Sequence, residues 1–164
     1  MLHRVYINIG SNSGHRHALI ERAVTAVSLA LGGVVSRSDI IETEPWGFSS
    51  PNPFLNVGLM VELEGGDNSM SFAETVFESL SRVEKDIDPS PHRDRSGGYI
   101  DRAIDIDLIA VDSLVMTTER LTLPHPQMHR RGFVLGPMMQ LDSGWRHPLL
   151  GKTVAEMFGE LKGF

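Results

Sequence analysis

No cysteine occurs among the 164 residues, which excludes disulfides and thiolate metal sites and leaves any nucleophile to another group. A cysteine-free chain suits a reducing cytoplasm, the compartment expected for it. Aromatic residues make up only 7% of the sequence, and there is no K/R-G-F-type strand of the kind on which RNA-binding sheets stack bases. Positive charge is also short, 15 lysines and arginines against 21 acids for a net −6, so a nucleic-acid partner is not expected. The chain has no run of 18 apolar residues, and its start, MLHRVYINIGSNSG, carries no leader signature; a soluble, untargeted protein without a membrane partner follows as the expectation. Neither G-x-x-x-x-G-K-[ST] nor G-x-G-x-x-G is present, so a bound nucleotide would not rest on a P-loop or a dinucleotide fold.

What is present is the composition of a globular chain, 41% hydrophobic and 22% charged, long enough for one domain over 1–164 with a substantial core. The charge is uneven. Between His92 and Arg131 six arginines (Arg93, Arg95, Arg102, Arg120, Arg130, Arg131) balance six acids, and the rest of the chain carries the whole negative excess. Arginines concentrated on an acidic protein suit a small polyanion, because guanidinium forks match phosphate oxygens.

The periodicity alternates between strand and helix. Arg4 to Ile9 reads as a strand, and apolar positions Leu19, Ile20, Ala23, Val24, Val27 and Leu31 recur at helical spacing until two glycines stop them. Val34 to Thr43 reads as a second strand, followed by the proline-rich PWGFSSPNP loop. Phe54 to Glu64 alternates cleanly, with Leu55, Val57, Leu59, Val61 and Leu63 on one face and Asn56 on the other. Ser71 and Glu74 form a capping-box pattern before a helix striped by Phe72, Val76, Phe77, Leu80 and Val83. A long loop over 86–99 follows, then a fourth strand, Ile104 to Val111, a hairpin around Asp112 and Ser113, and helical pieces. The order β-α-β-β-α-β predicts an α+β, ferredoxin-like antiparallel sheet with two helices on one face and C-terminal additions.

Two acids interrupt the fourth strand. In RAIDIDLIA, Asp105 and Asp107 share one face while Ile104, Ile106 and Leu108 line the other, so the carboxylates look into a cleft or solvent, about 6.5–7 Å apart at Cα. Solvating an open sheet face would account for them equally well. Hard Mg²⁺, however, takes one or two protein carboxylates and completes its sphere with water and substrate phosphates, and phosphoryl transfer needs metal and arginine together.

The chain resembles the 6-hydroxymethyl-7,8-dihydropterin pyrophosphokinase family of folate biosynthesis over nearly its whole length. The resemblance is carried by Arg102-Ala-Ile-Asp105-Ile-Asp107-Leu-Ile, by GSN after the first strand, ETEPWG after the second, FLN in the third and ERLTLPHPQMHRRGFVL downstream. It implies transfer of the β,γ-diphosphoryl unit of ATP to the pterin hydroxymethyl group, with AMP released. Two Mg²⁺ ions are implied on Asp105 and Asp107, with Asp107 assisting deprotonation of the hydroxyl. For the pterin it implies Thr43, Pro45 and Trp46 through backbone groups, Asn56 through its amide, and Phe54 and Phe133 as a sandwich. For ATP it implies Glu84, Arg102, Arg120, Thr122, His125 and Arg131, with Arg93, Arg95 and Tyr99 on a closing loop; Arg93, Arg95, Arg102 and Arg131 are thereby also implied in catalysis. No oligomer is implied. The chain departs from the family's pattern in a longer loop containing DPSP, in Ser81 where glutamine is common, and in Pro126 where an aromatic is frequent. An RNA-binding platform and a D-x-D metallophosphatase are the alternatives, the first disfavoured by charge and the second by the late position of the acid pair.

Overall fold

The computed structural model describes residues 1–43, 53–89 and 103–161. Its centre is the strand Leu2–Ser11 (β1), which pairs antiparallel with Phe54–Glu64 (β4) on one side and Asp105–Val111 (β5) on the other. Two short strands, Val34–Arg37 (β2) and Ile41–Thr43 (β3), share the outer edge of β4. The order β2-β4-β1-β5 is that of the expected ferredoxin-like sheet. The predicted strand over 34–43 is thus two strands. Ser38 separates them: its amide donates to the Gly58 carbonyl at 3.0 Å and its hydroxyl accepts from the Gly58 amide at 2.8 Å.

Strand alternation gives the sheet two apolar faces. On the first, Val5, Ile7, Ile9, Val57, Leu59, Val61, Ile104, Ile106 and Leu108 pack against Arg16–Leu31 (α1) and Ser69–Ile87 (α2). Ile20, Ala23, Val24 and Val27 are the buried stripe of α1, which ends at Gly32 in the left-handed conformation (φ 72°) that glycine adopts without a Cβ penalty. Helix α2 starts one turn before the predicted capping box. The Asn68 side chain accepts from the Ser71 amide at 3.1 Å, so Asn68 is the cap and Ser71 is already inside the helix.

The C-terminal additions cover much of the second face. Gly132–Asp142 (α3) and Val154–Glu160 (α4) build a second core on Tyr6, Ile109 and Ala110 with Val134, Leu135, Met138, Trp145 and Met157. A β-bulge makes this possible. Tyr6 pairs with Ala110 and Ile7 with Leu108, leaving Ile109 as the extra residue, so Ile109 and Ala110 both reach the second core before Val111 returns to the first. The hairpin expected at Asp112 and Ser113 is a turn, with Asp112 at φ 49°. Met116–Thr117 (β6) then pairs with Thr122–Leu123 (β7) rather than folding back on β5.

The far end of β1 holds a buried charge. His3 is fully buried, its Nδ1 2.7 Å from Asp112 Oδ2 and its Nε2 2.8 Å from the Gly66 carbonyl. Both partners are acceptors, so both ring nitrogens carry protons and the ring is an imidazolium. Burial opposes the charge, but the bonds to Asp112 and Gly66 and the Asp112 charge outweigh it and raise the pKa above 6.5. A histidine with a raised folded pKa contributes stability that is complete below its unfolded value and is lost as pH rises through the folded one. The unfolding midpoint should therefore fall as pH rises above 6.5. Thermal melts of His3→Gln, in which that fall is absent, provide the check.

Candidate active site

The cleft lies on the second face, beside the edge of α3, where three strands align their polar positions. Register places Asn56 opposite Gly10 and Gly10 opposite Asp105. One step along, Gly58 is opposite Asn8 and Asn8 opposite Asp107. With strands 4.7–4.9 Å apart, Asn56 and Asp105 stand about 10 Å from each other across the glycine.

Gly10 is there for clearance. A Cβ at this position would lie 2.9 Å from Asn56 Oδ1 and 3.4 Å from Phe54 Cδ1, so any side chain would fill the floor between the amide and the carboxylate. Asn56 is 2% exposed and its Nδ2 donates to Thr43 Oγ1 at 2.9 Å. Phe54 belongs to neither hydrophobic core. Its ring borders the cleft, so its position there is not explained by packing of the interior.

Asp105 and Asp107 are half-buried, more enclosed than solvent-facing acids on an open sheet, and Ile104, Ile106 and Leu108 on the reverse side are buried. Helix α2 holds the outer edge of this strand. The Glu84 carboxylate accepts from the Ile106 amide at 3.0 Å, and the buried Asp88 accepts from the Ala103 amide at 3.1 Å. These bonds satisfy amides that an edge strand would otherwise leave to solvent. Two hard carboxylates on one face are the kind of ligand a divalent cation such as Mg²⁺ takes. Among the described residues there is no group of three or more histidines and acids that could hold a metal by itself.

The chain returns to this pair after β7. The His125 amide donates to the carbonyl of the bulged Ile109 at 2.8 Å, and the imidazole feels the charges of both Arg131 and Asp105. Burial and the Arg131 charge push its pKa down to about 4, with Asp105 opposing. The ring is neutral at physiological pH. Its Nδ1 accepts from the Gln127 amide at 3.2 Å, so the proton resides on Nε2, a neutral donor. The Arg131 guanidinium lies 5.5 Å from the centre of the Phe133 ring, a cation–π arrangement, and the Phe133 carbonyl accepts from Asn8 Nδ2 at 2.8 Å.

Thr43, Phe54, Asn56, Asp105, Asp107, His125, Arg131 and Phe133 are thus gathered around one cleft, with Glu84 behind β5. Arg120 lies against α2, 3.6 Å from Glu78 Oε1 and 5.6 Å from the Phe77 ring centre. Thr122 pairs with Thr117 in the β6–β7 ribbon. Pro45, Trp46, Arg93, Arg95, Tyr99 and Arg102 lie outside the described residues. Asn8 and Asp88 were not anticipated. Asn8 alternates with Tyr6 and Gly10 and so declares its face, whereas Asp88 finds its partner only through the fold.

Residues 6–143 match the family model described as 7,8-dihydro-6-hydroxymethylpterin-pyrophosphokinase (HPPK). A 2-amino-4-hydroxy-6-hydroxymethyldihydropteridine pyrophosphokinase of Porphyromonas gingivalis is 39% identical over 88% of this chain and 93% of its own length. The protein of the same name from Methylorubrum extorquens is 31% identical over 96% and 93%. In fold, the chain superposes on Plasmodium falciparum HPPK-DHPS with a TM-score of 0.68 at 12% identity, covering 98% of this chain and 45% of that one. The chain belongs to the 7,8-dihydro-6-hydroxymethylpterin-pyrophosphokinase family, whose members are transferases of phosphorus-containing groups in folate biosynthesis.

Proposed function

We propose that the protein transfers the diphosphoryl unit of ATP, with Mg²⁺, to the hydroxymethyl group of 6-hydroxymethyl-7,8-dihydropterin. The observation that carries this reading is the row Asn56–Gly10–Asp105. An amide able to read the polar edge of a flat heterocycle faces a carboxylate pair across a bare floor, and the gap suits a bicycle whose hydroxymethyl arm points at the acids.

In this reading Phe54 and Phe133 sandwich the pterin ring, Asn56 bonds its amide edge, and the backbone around Thr43, Pro45 and Trp46 contacts its rim. The hydroxymethyl oxygen attacks the β-phosphorus of ATP, the bond from that phosphorus to the α-bridging oxygen breaks, and AMP departs. Asp107 accepts the hydroxyl proton. Two Mg²⁺ ions held by Asp105 and Asp107 would supply charge neutralisation on the phosphate oxygens and a lowered hydroxyl pKa. Arg131 and the His125 Nε2–H hold phosphate oxygens, the first as a cation and the second as a neutral donor. Glu84, Arg102, Arg120 and Thr122 serve the nucleotide, and Arg93, Arg95 and Tyr99 close over it and keep water from the triphosphate. Residues 1–164 act as one domain on small molecules, in the cytoplasm and without a nucleic-acid partner. Among the described residues no helix is long and apolar enough to cross a membrane.

The test is incubation with Mg²⁺, ATP and the pterin alcohol. Stoichiometric AMP and pterin diphosphate are expected; inorganic phosphate without AMP would indicate a phosphatase, and the absence of AMP from folded protein refutes the assignment. A second expectation concerns the floor of the cleft. Gly10→Ala should weaken pterin binding about tenfold or more, since small misplacements in a site are costly, while ATP binding changes little. Titration of each ligand separately measures both.

A further inference from the structure

Helix α3 carries a flaw in its own hydrogen bonding. The Phe133 carbonyl lies in its first turn, where the α-helical pattern takes a donor from residue 137. Residue 137 is a proline inside the helix and has no N–H to give. The donor comes instead from the sheet, as Asn8 Nδ2 at 2.8 Å, from a side chain only 4% exposed. The proline also sets the approach. A Cβ on Gly58, the cross-strand partner of Asn8, would lie 2.7 Å from Pro137 Cβ, so the proline occupies the space that a side chain on β4 would take. Three residues therefore form one seat: Pro137 removes the donor, Gly58 admits the helix, and Asn8 replaces the lost bond. On its other side Asn8 is paired with Asp107.

We infer that Asn8 is a positioning residue, which fixes Phe133 over the cleft at a set distance from the Asp105–Asp107 strand. This rests on the proposed pterin site, of which Phe133 is one wall. Asn8 itself touches no reacting atom. It acts by tying the first turn of α3, with Phe133 and the adjoining Arg131, to the strand register that presents Asp107. A bond that served only to satisfy an orphaned carbonyl would affect stability and not ligand affinity; a positioning bond affects both.

The experiment uses the full chain, with pterin and a non-hydrolysable ATP analogue titrated separately and thermal midpoints recorded. Asn8→Ala should weaken pterin binding about tenfold, leave analogue binding within about twofold, and lower the midpoint. In Asn8→Ala/Pro137→Ala the helix regains its own donor at residue 137, so the midpoint should recover relative to Asn8→Ala while pterin binding stays weak. Unchanged pterin affinity in Asn8→Ala overturns the inference. So does a double variant in which pterin affinity returns together with the midpoint, because Asn8 would then act only by satisfying the carbonyl. If Asn8→Ala alone does not fold, the double variant decides by the same affinity. Failure of the wild-type protein to bind pterin would count against the proposed function instead.

Discussion

Asp105→Ala and Asp107→Ala should each lower turnover by about 10³-fold or more, the scale of losing a principal source of transition-state charge stabilisation. Neither should unfold the protein. The carboxylates are half-buried and contribute little packing, and two like charges on one strand face repel each other, so removing one relieves part of that repulsion. A change in unfolding free energy within about 1 kcal/mol is expected, typical of substitutions outside the core. The contrast is Ile106→Ala on the same strand. Its side chain is 6% exposed within the first core, and such truncations cost about 2–5 kcal/mol through lost burial and the cavity left behind. Denaturant melts and AMP release measured on all three variants separate the roles. A large loss of stability in either aspartate variant would show that the acids support the strand, which would remove the main argument for a metal pair.

Asn56→Ala should weaken pterin binding by about 10²-fold, the value of two hydrogen bonds at about 1.4 kcal/mol each. The ATP analogue should bind as before. The amide is nearly inaccessible to solvent, so a heterocycle bound against it would be left with unpaired polar groups once the side chain is cut. Because Asn56 also bonds Thr43, a loss could reflect loosening of β3 against β4. Thr43→Val separates the two causes, since it removes that partner and retains the reading amide. A much smaller loss in Thr43→Val than in Asn56→Ala assigns the effect to recognition. Equal losses would assign it to the β3–β4 junction.

The contacts of the cleft show how its parts depend on irregular features. The His125 segment is tied to β5 because the bulge at Ile109 frees a carbonyl for its backbone amide. Phe133, packed against the second core, is held near the sheet because α3 sits where Gly58 leaves space for Pro137. Bulges and glycines of this kind are local departures from regular pairing, retained where a side chain or a neighbouring element must be re-aimed.

Much of the fold was legible from periodicity. The alternation of Leu55 to Leu63 and the helical spacing of Ile20 to Val27 encode burial directly, because each element must turn one apolar face to the core. The faces of Asp105, Asp107 and Asn56 followed from the same period of two. Their roles did not follow from spacing, and rested on motifs shared with a known family. The start of α2 lies one turn before the Ser71 capping pattern, because Asn68 and Ser71 both suit a cap and only the bond formed distinguishes them.

What the amino-acid order determined by itself was the sequence of strands and helices, which residues face the core, and which acids share a face, since these depend on interactions among near neighbours. What only the tertiary structure decided was the company each residue keeps. Asn8 meets Phe133 across 125 residues, Gly10 separates Asn56 from Asp105, the His125 amide bonds the Ile109 carbonyl, and Asp88 closes on Ala103. These pairings follow from strand register, a bulge and the seating of one helix, and local propensity carries no information about any of the three.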